Sequence, residues 1–360
     1  LFRLTGGALL PLRLFSVFLG ALLLLVVHRV ARLIVRPALA VGAMAFVAFL
    51  PMHIAMVSAV NNDSLAELLM VVMLWQCLHV ILHPPRHSLR PWFGLGLITG
   101  LGLVTKSTVY GLLPMLGVTL ILAWRDSLQH DPSARHASRI TFALLLPLLL
   151  LAVPWWLRNL AVYGGTDFLG LNRHEDIVLG QLRTAEFVAQ QGWTSLGARF
   201  ITWTFRSFWG QFGWMSVLLD DRIYTALLTL SAAVSVGALW TLRRVWRQNN
   251  QAVRRALWLL GLAALGAVGG YLWYNLSFVQ HQGRYLFPAL LTFGLGWAVG
   301  LAALAQPGVS RTAAAVVVVG GLLALALAPG RWTLLLWAAA AGLLFLLPRL
   351  ARWHSLLYAA

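Results

Sequence analysis

The sequence predicts an all-α protein that crosses a membrane many times. Of its 360 residues, 60% are hydrophobic and only 10% are charged, whereas soluble domains carry about 25% charged residues. Many apolar stretches approach the ~20 residues that a helix needs to cross a ~30 Å hydrocarbon core. These stretches are continuous rather than alternating, which favours helices over the strands of a membrane β-barrel.

The net charge of +17 does not indicate a nucleic-acid partner, because most arginines lie in short segments between apolar stretches. Basic residues in such loops orient the spans and meet anionic lipid headgroups. The single cysteine, Cys77, falls inside an apolar stretch, so the sequence offers neither a disulfide framework nor a cysteine metal site. The predicted partner is therefore the membrane with its lipids, and not nucleic acid.

The spans are predicted from the apolar stretches in order along the chain. Those that form single helices are residues 8–27, 38–59, 64–82, 140–157, 216–242, 256–275, 285–304, 312–328 and 331–348. The loop at 243–255 has five arginines and no acid, which places it on the cytoplasmic side. The basic loops at 28–36 and 125–139 are predicted on the same side, as is the loop at 83–90 by counting spans.

The stretch at 92–124 joins two predicted cytoplasmic loops, so it must cross the membrane an even number of times. Its 33 residues would make ~50 Å of helix, too long for one span and short for two. We therefore predict two spans, the first of them short, joined at Thr105–Lys106–Ser107 near the outer surface. The chain then has about eleven spans, and Leu1 lies outside, which predicts at least one further helix upstream.

The polar chemistry of the chain is predicted on the outer side of the membrane. Under this topology every acidic residue except Asp126 and Asp131 lies outside or near the outer end of a span. The one long connection, 158–215, is also outside, and its second half, 192–215, is aromatic with interspersed arginines. Such a segment is typical of an amphipathic helix in the headgroup layer, with a plain aromatic belt as the alternative. We interpret residues 1–360 as a single membrane domain.

Lys106 is the only lysine of the chain and lies within an apolar run, GLGLVTKSTVYGLLP. Its ammonium can reach the interface along an apolar stem, or it can hold the phosphate of a lipid-linked substrate. Charged residues within membrane segments are functional candidates by default.

Arg284 and Tyr285 open a later span at the outer surface. They form either an interfacial anchor pair or a site in which Arg284 is a second cation on the same phosphate as Lys106.

Two acidic residues are candidates for chemistry. Asp63, in VNNDSLAELL, is predicted as the N-cap of the helix that follows. It shares one helix face with Glu67, four residues further on. Two acids on one face suit acid–base work or a divalent cation, although this spacing is common.

A further group of polar residues follows a span outward: Arg158, His174, Glu175 and Asp176. They are candidates for binding an acceptor or a metal, with solvated loop residues as the alternative interpretation. The sequence contains no Walker loop, zinc motif or nucleophile elbow. It therefore indicates no definite metal or other cofactor, and a divalent cation stays open.

Six stretches, taken together, resemble the large-membrane-fold (GT-C) glycosyltransferases. They are LRLFSVFLGALLLLVVHRVARL (12–33), VNNDSLAELL (60–69), GLGLVTKSTVYGLLP (100–114), PWWLRNLAVYG (154–164), SFWGQFGW (207–214) and QGRYLFPAL (282–290). The resemblance is to bacterial relatives of the dolichyl-phosphate-mannose–protein mannosyltransferases and of the lipid A aminoarabinose transferase, which are family 39-like. It runs in order from about residue 12 to residue 300.

The resemblance implies transfer of a sugar from a polyprenyl-phosphate carrier to an acceptor on the outer side of a bacterial plasma membrane, by direct displacement with inversion. It implies basic residues at the donor phosphate, and Lys106 and Arg284 match such positions. Asp63 matches an acidic residue in the second outer loop of some relatives. The family's best-known catalytic acid lies in a first outer loop. The resemblance therefore implies that a first helix and this loop precede Leu1. A transporter or flippase of lipid-linked saccharides is the alternative function, and a non-catalytic scaffold is a third.

Overall fold

The computed structural model describes residues 3, 6–85, 88–130, 135–248, 250–327 and 331–357. The predicted cytoplasmic loops at 83–90 and 125–139 include residues 86–87 and 131–134, which lie outside the described residues. Within the described part of the chain, the regular structure consists of fourteen α-helices, two 3₁₀ turns and one hairpin of two short strands. The all-α fold predicted from the sequence is confirmed.

The elements follow one another without long irregular connections. The helices are α1 (Leu9–Arg32), α2 (Pro37–Phe49), α3 (Pro51–Val57), α4 (Asp63–Leu82), α5 (Arg90–Thr105), α6 (Leu113–His130), α7 (Arg135–Tyr163), α8 (Leu171–Ile177), α9 (Thr184–Trp209), α10 (Asp221–Arg247), α11 (Gln251–Ser277), α12 (Leu290–Ala303), α13 (Pro307–Leu327) and α14 (Arg331–Leu357). The 3₁₀ turns Ser107–Leu112 and Gly283–Ala289 precede α6 and α12. The strands β1 (Gln211–Phe212) and β2 (Val217–Leu218) pair antiparallel between α9 and α10.

Seven helical segments of the described chain are long and apolar enough to cross a membrane. An eighth crossing results if α2 and α3 form one bent span. Shorter apolar helices at 307–322 and 335–349 coincide with the last two predicted spans. The chain is thus an integral membrane protein, and the total of about eleven spans stays a prediction.

Several helices begin or end about five residues or more away from the predicted boundaries, among them α1, α6, α7, α10, α13 and α14. α7 continues to Tyr163, beyond residue 158, where the outer connection was predicted to begin. The span predicted from residue 216 begins only at Asp221, because residues 217–218 form β2 and Asp220 is the N-cap of α10. The carboxylate of Asp220 accepts a hydrogen bond from the backbone N–H of Arg222 at 2.8 Å, which satisfies one free donor of the first turn.

A proline bends the span predicted at 38–59. α2 ends at Phe49, Leu50 is extended, and α3 begins at Pro51 with its axis turned by 66°. Because proline has no N–H, the carbonyl of Val47, four residues earlier, loses its helical partner. The bend brings α3 against α4 and the second 3₁₀ turn.

The predicted break within 92–124 is confirmed at the predicted residue. α5 ends at Thr105, Lys106 is extended (φ −159°, ψ 140°), and the first 3₁₀ turn begins at Ser107. This turn packs tightly on α11, because a Cβ on Gly266 would lie 1.9 Å from the carbonyl oxygen of Gly111. Only glycine permits such an approach, and small residues commonly serve this purpose between membrane helices.

The predicted aromatic segment at 192–215 forms most of α9 and the strand that follows. α9 kinks at Gly192, whose φ of 80° favours glycine. Trp193, just after the kink, is 73% exposed. Near the end of the helix, Phe208 contacts the ring of Phe287 and Trp209 contacts that of Trp297. The segment is thus anchored to the bundle at its C-terminal end.

Candidate active site

One cavity lies where α4 begins, α5 ends and the second 3₁₀ turn packs against α3. It contains about 490 Å³ of empty space when the space open to solvent is included. Its polar lining comprises Asp63, Ser64, Glu67, Lys106, Thr108, Arg284 and Tyr285. The structure therefore brings together the two cations and two acids that the sequence singled out separately.

Asp63 lies at the start of α4, held by the asparagines that precede it. The side-chain oxygen of Asn61 accepts from the backbone N–H of Asp63 at 2.9 Å, and the amide of Asn62 donates to the carbonyl of Thr105 at 2.9 Å. The prediction that Asp63 caps α4 is wrong. Asn62 occupies the N-cap position, without a capping side-chain bond, and Asp63 is the first helical residue. Its carboxylate instead accepts a hydrogen bond from the ammonium of Lys106.

Lys106 reaches this position because the chain leaves the helical conformation there. Its backbone N–H still donates to the carbonyl of Gly102 at 3.1 Å, which closes the last turn of α5. The extended backbone then lets its ammonium reach Asp63 on the neighbouring helix. The two side chains are 24% and 29% exposed, so the pair is half-buried at the cavity wall. The ammonium has donors to spare for a ligand, because it carries three.

Arg284 enters the cavity from the second 3₁₀ turn. Its guanidinium lies over the ring of Tyr285, 5.4 Å from the centroid, and one of its nitrogens is 3.5 Å from the sulfur of Met56. Its Nε is buried without a hydrogen-bond partner, and no acidic residue of the described chain forms an ion pair with it. An unpaired guanidinium on a cavity wall is suited to binding an anion, since its donors form a planar fork.

Glu67 lies one turn below Asp63 and is 6% exposed. Its carboxylate contacts the Nε2 atom of His53 at 3.2 Å, and the Nδ1 atom of His53 lies 2.9 Å from the carbonyl oxygen of Val47. His53 was missed at the level of the sequence. The sequence does contain a signal, since His53 stands two residues after a proline inside an apolar span, PMHIA. A polar side chain buried in such a span requires a hydrogen-bond partner.

The other sequence candidates do not line this cavity. Arg158 donates to Asn159 and to the hydroxyl of Tyr163, both at 3.0 Å. His174 contacts the hydroxyl of Tyr274 at 3.2 Å, and Glu175 pairs with Arg183 at 3.6 Å.

Asp176 is exposed on α8 and is also absent from the cavity wall. The interpretation of Arg158, His174, Glu175 and Asp176 as a site for an acceptor or a metal stays a prediction, separate from this cavity. Within the described residues, no three His, Cys, Asp or Glu side chains lie close enough to hold a metal ion.

Charged groups outside the spans have altered pKa values with clear causes. Burial, reinforced by the nearby guanidinium of Arg199, lowers the pKa of His281 to about 4. For Asp167 burial acts to raise the pKa, but hydrogen bonds from the backbone N–H groups at the start of α8 outweigh it and lower the pKa. The imidazole of His281, three residues before Arg284, is therefore neutral at pH 7.

The chain is similar to known proteins in two respects. Residues 1–157 match the family model described as dolichyl-phosphate-mannose-protein mannosyltransferase. No curated protein was found to match the chain. Among solved structures, the chain is similar to the oligosaccharyltransferase of Archaeoglobus fulgidus in its apo form, with 12% identity and a TM-score of 0.42. The likeness covers 94% of this chain but only 44% of that longer one.

The resemblance to membrane glycosyltransferases is thereby confirmed over residues 1–157. This range includes Asp63, Glu67 and Lys106, whereas Arg284 lies beyond it. The part of the cavity formed by α3, α4 and the Lys106 break therefore belongs to the matched sequence.

Proposed function

We propose that this protein is a glycosyltransferase that moves a sugar from a polyprenyl-phosphate carrier to an acceptor on the outer side of a bacterial plasma membrane. The observation that carries the proposal is the convergence of Lys106 and Arg284 on one cavity that also holds Asp63 and Glu67. The family match over residues 1–157 supports the reaction class and the lipid-linked donor.

Lys106 and Arg284 bind the donor phosphate. Among the described residues no acid pairs with Arg284, and Lys106 is only partly neutralised by Asp63. A half-buried cation attracts an anion more strongly than an exposed one, because the local dielectric constant is lower. Both charges then stabilise the leaving phosphate as negative charge grows on its bridging oxygen.

The reaction is a direct displacement at the anomeric carbon. The acceptor oxygen forms a bond to this carbon as the bond to the phosphate oxygen breaks, and the polyprenyl phosphate leaves with the electron pair. The proton of the acceptor passes to the carboxylate of Asp63, which acts as general base. Entry of the donor phosphate draws Lys106 toward the phosphate and frees Asp63 for this role.

The test is transfer of radiolabelled sugar from polyprenyl-phosphate-linked donors by the protein in proteoliposomes. We expect transfer to an acceptor supplied outside, and a large loss in Lys106→Ala and Arg284→Ala. Full transfer by both variants would remove the phosphate site from the proposal. Movement of the labelled lipid across the bilayer without transfer would instead favour a flippase.

A further inference from the structure

We propose that Glu67, positioned by His53, binds a hydroxyl group of the sugar carried by the donor. This inference rests on the proposed function and names a subsite within the same cavity. It assigns to Glu67 recognition of a neutral polyhydroxyl group, in place of the acid–base or metal role that its spacing from Asp63 suggested.

The first step is the fixed orientation of His53. In a continuous helix the carbonyl of Val47 would accept a hydrogen bond from the N–H of residue 51, but Pro51 has no N–H. The carbonyl oxygen of Val47 instead lies 2.9 Å from Nδ1 of His53. A carbonyl can only accept, so Nδ1 must carry a proton and donate it. The break between α2 and α3 thus supplies the acceptor that fixes the ring.

The second step concerns the proton between His53 and Glu67. With Nδ1 protonated, a neutral imidazole presents a lone pair at Nε2, and this atom lies 3.2 Å from Oε2 of Glu67. Two acceptors do not form a hydrogen bond, so one further proton lies between them. The pair is therefore either imidazolium with carboxylate or imidazole with carboxylic acid, and is neutral as a whole.

The third step is that one oxygen of Glu67 stays available. In the described part of the chain, the only hydrogen bond and ion pair of Glu67 are with His53, through Oε2. The residue lines the cavity, while His53 beneath it is 2% exposed and packed edge-on against the ring of Phe287. The second oxygen, Oε1, is thus held in a fixed orientation next to the ligand space.

The fourth step identifies the chemical class of the ligand group. The donor phosphate binds near Lys106 and Arg284. Oε1 of Glu67 is unsuited to bind a phosphate, because Oε1 and the phosphate oxygens are all hydrogen-bond acceptors. A hydroxyl group suits Oε1, since it donates a hydrogen bond that Oε1 accepts whether the proton of the pair lies on His53 or on Oε2. In a polyprenyl-phosphate sugar, the hydroxyl groups nearest the phosphate belong to the sugar ring. A buried ionisable pair is also weak as a stabilising device, which favours a role in binding.

The experiment compares binding of two lipids to the purified protein, polyprenyl phosphate and polyprenyl-phosphate mannose, by quenching of tryptophan fluorescence. Other hexose-bearing lipids follow if mannose shows no preference. We expect Glu67→Ala to weaken binding of the sugar-bearing lipid by about three- to tenfold, as for loss of one hydrogen bond. Binding of the bare phosphate lipid is expected to stay within about twofold, since the cations are intact.

Two substitutions of His53 separate positioning from simple packing. The amide nitrogen of glutamine reaches the place of Nε2, so His53→Gln can still donate to Glu67 and is expected to retain sugar preference. The shorter amide of asparagine reaches only the place of Nδ1, so His53→Asn keeps the bond to Val47 and is expected to lose that preference. Equal loss in both variants would overturn the positioning role.

The outcomes separate this inference from the proposed function. If the wild-type protein binds neither lipid, the proposed function fails. If it binds both lipids equally with every hexose offered, or if Glu67→Ala weakens both lipids alike, the phosphate site survives and the sugar subsite is refuted. The positive control is Lys106→Ala, which is expected to lose binding of both lipids.

Discussion

Lys106 and Asp63 form an ion pair across the cavity wall although 43 residues separate them along the chain. The pair joins the break after α5 to the first turn of α4, and the bond from Asn62 to Thr105 runs beside it. Within this pair the carboxylate partly neutralises the ammonium. An anionic ligand must compete with Asp63 for Lys106, and this competition gives the site its most specific predictions.

Removal of Asp63 is expected to separate binding from chemistry. Asp63→Asn abolishes the base and lowers kcat for transfer by about 10²–10⁴-fold. It also releases Lys106, so the donor phosphate meets a freer cation and binds as tightly as in the wild type or several-fold tighter. Steady-state transfer and equilibrium binding of polyprenyl phosphate measure the two effects. Weaker phosphate binding together with lower kcat would contradict the competition.

Removal of Lys106 is expected to lower both binding and transfer. Lys106→Met keeps the apolar stem and removes the charge, which should cost about 10²–10³-fold in kcat if the ammonium stabilises the leaving phosphate. Transfer of labelled sugar in proteoliposomes measures this loss. Lys106→Arg is the matched control, and partial activity is expected because the charge is kept.

Arg284 is expected to tolerate lysine less well than Lys106 tolerates arginine. Its guanidinium lies over the ring of Tyr285, 5.4 Å from the centroid, and a lysine lacks the planar fork of donors. We expect Arg284→Lys to lose most of the transfer that Arg284→Ala loses. Arg173→Ala removes an exposed arginine of α8 that does not line the cavity, and its transfer should equal that of the wild type. Full activity of the Arg284→Lys variant would show that Arg284 acts only through its charge, which would contradict this prediction.

The contact between Gly266 and Gly111 predicts a stability effect on α11. A methyl group at residue 266 would meet the carbonyl oxygen of Gly111 at 1.9 Å, so Gly266→Ala is expected to destabilise the protein by about 1–3 kcal/mol or more. Thermal unfolding in detergent measures the change. Gly261→Ala is the control on the same helix, because its Cβ meets no atom within 4 Å. The control should be neutral or stabilising, since alanine favours helix over glycine by about 0.5–1 kcal/mol.

His281 is expected to make stability depend on pH below neutrality. Its pKa is about 4 in the folded protein, against 6.5 ordinarily, so the unfolded chain binds a proton at a higher pH than the folded one. The full stability is present above about pH 6.5 and falls as the pH drops toward 4, by at most ~1.4 kcal/mol per pH unit. Thermal unfolding across this range, compared with His281→Gln, measures the effect. The variant should show a flatter profile, and an unchanged profile would contradict the role of His281.

Part of the candidate site could be predicted from the sequence because its signals are local. The break at Lys106 follows from a stretch too long for one span and short for two. The prominence of Lys106 follows from its being the only lysine, placed in an apolar run. The pairing of Glu67 with His53 and that of Asp63 with Lys106 could not be predicted. Both depend on the distance between helices that the sequence separates.

Local features of the sequence suffice to predict a helical membrane protein, the break at Lys106, and which isolated charges lie near helix ends. Hydropathy and helix breaks depend on residues within one or two helical turns, so they can be predicted from residues that are close in the sequence. The tertiary structure alone decided which of these charges meet. It placed Lys106 on Asp63 and His53 on Glu67, and it brought Arg284 to the same cavity while leaving Arg158 and His174 outside it. The physical reason is that a charge in a membrane protein is satisfied by whatever the packing of helices brings within hydrogen-bonding distance.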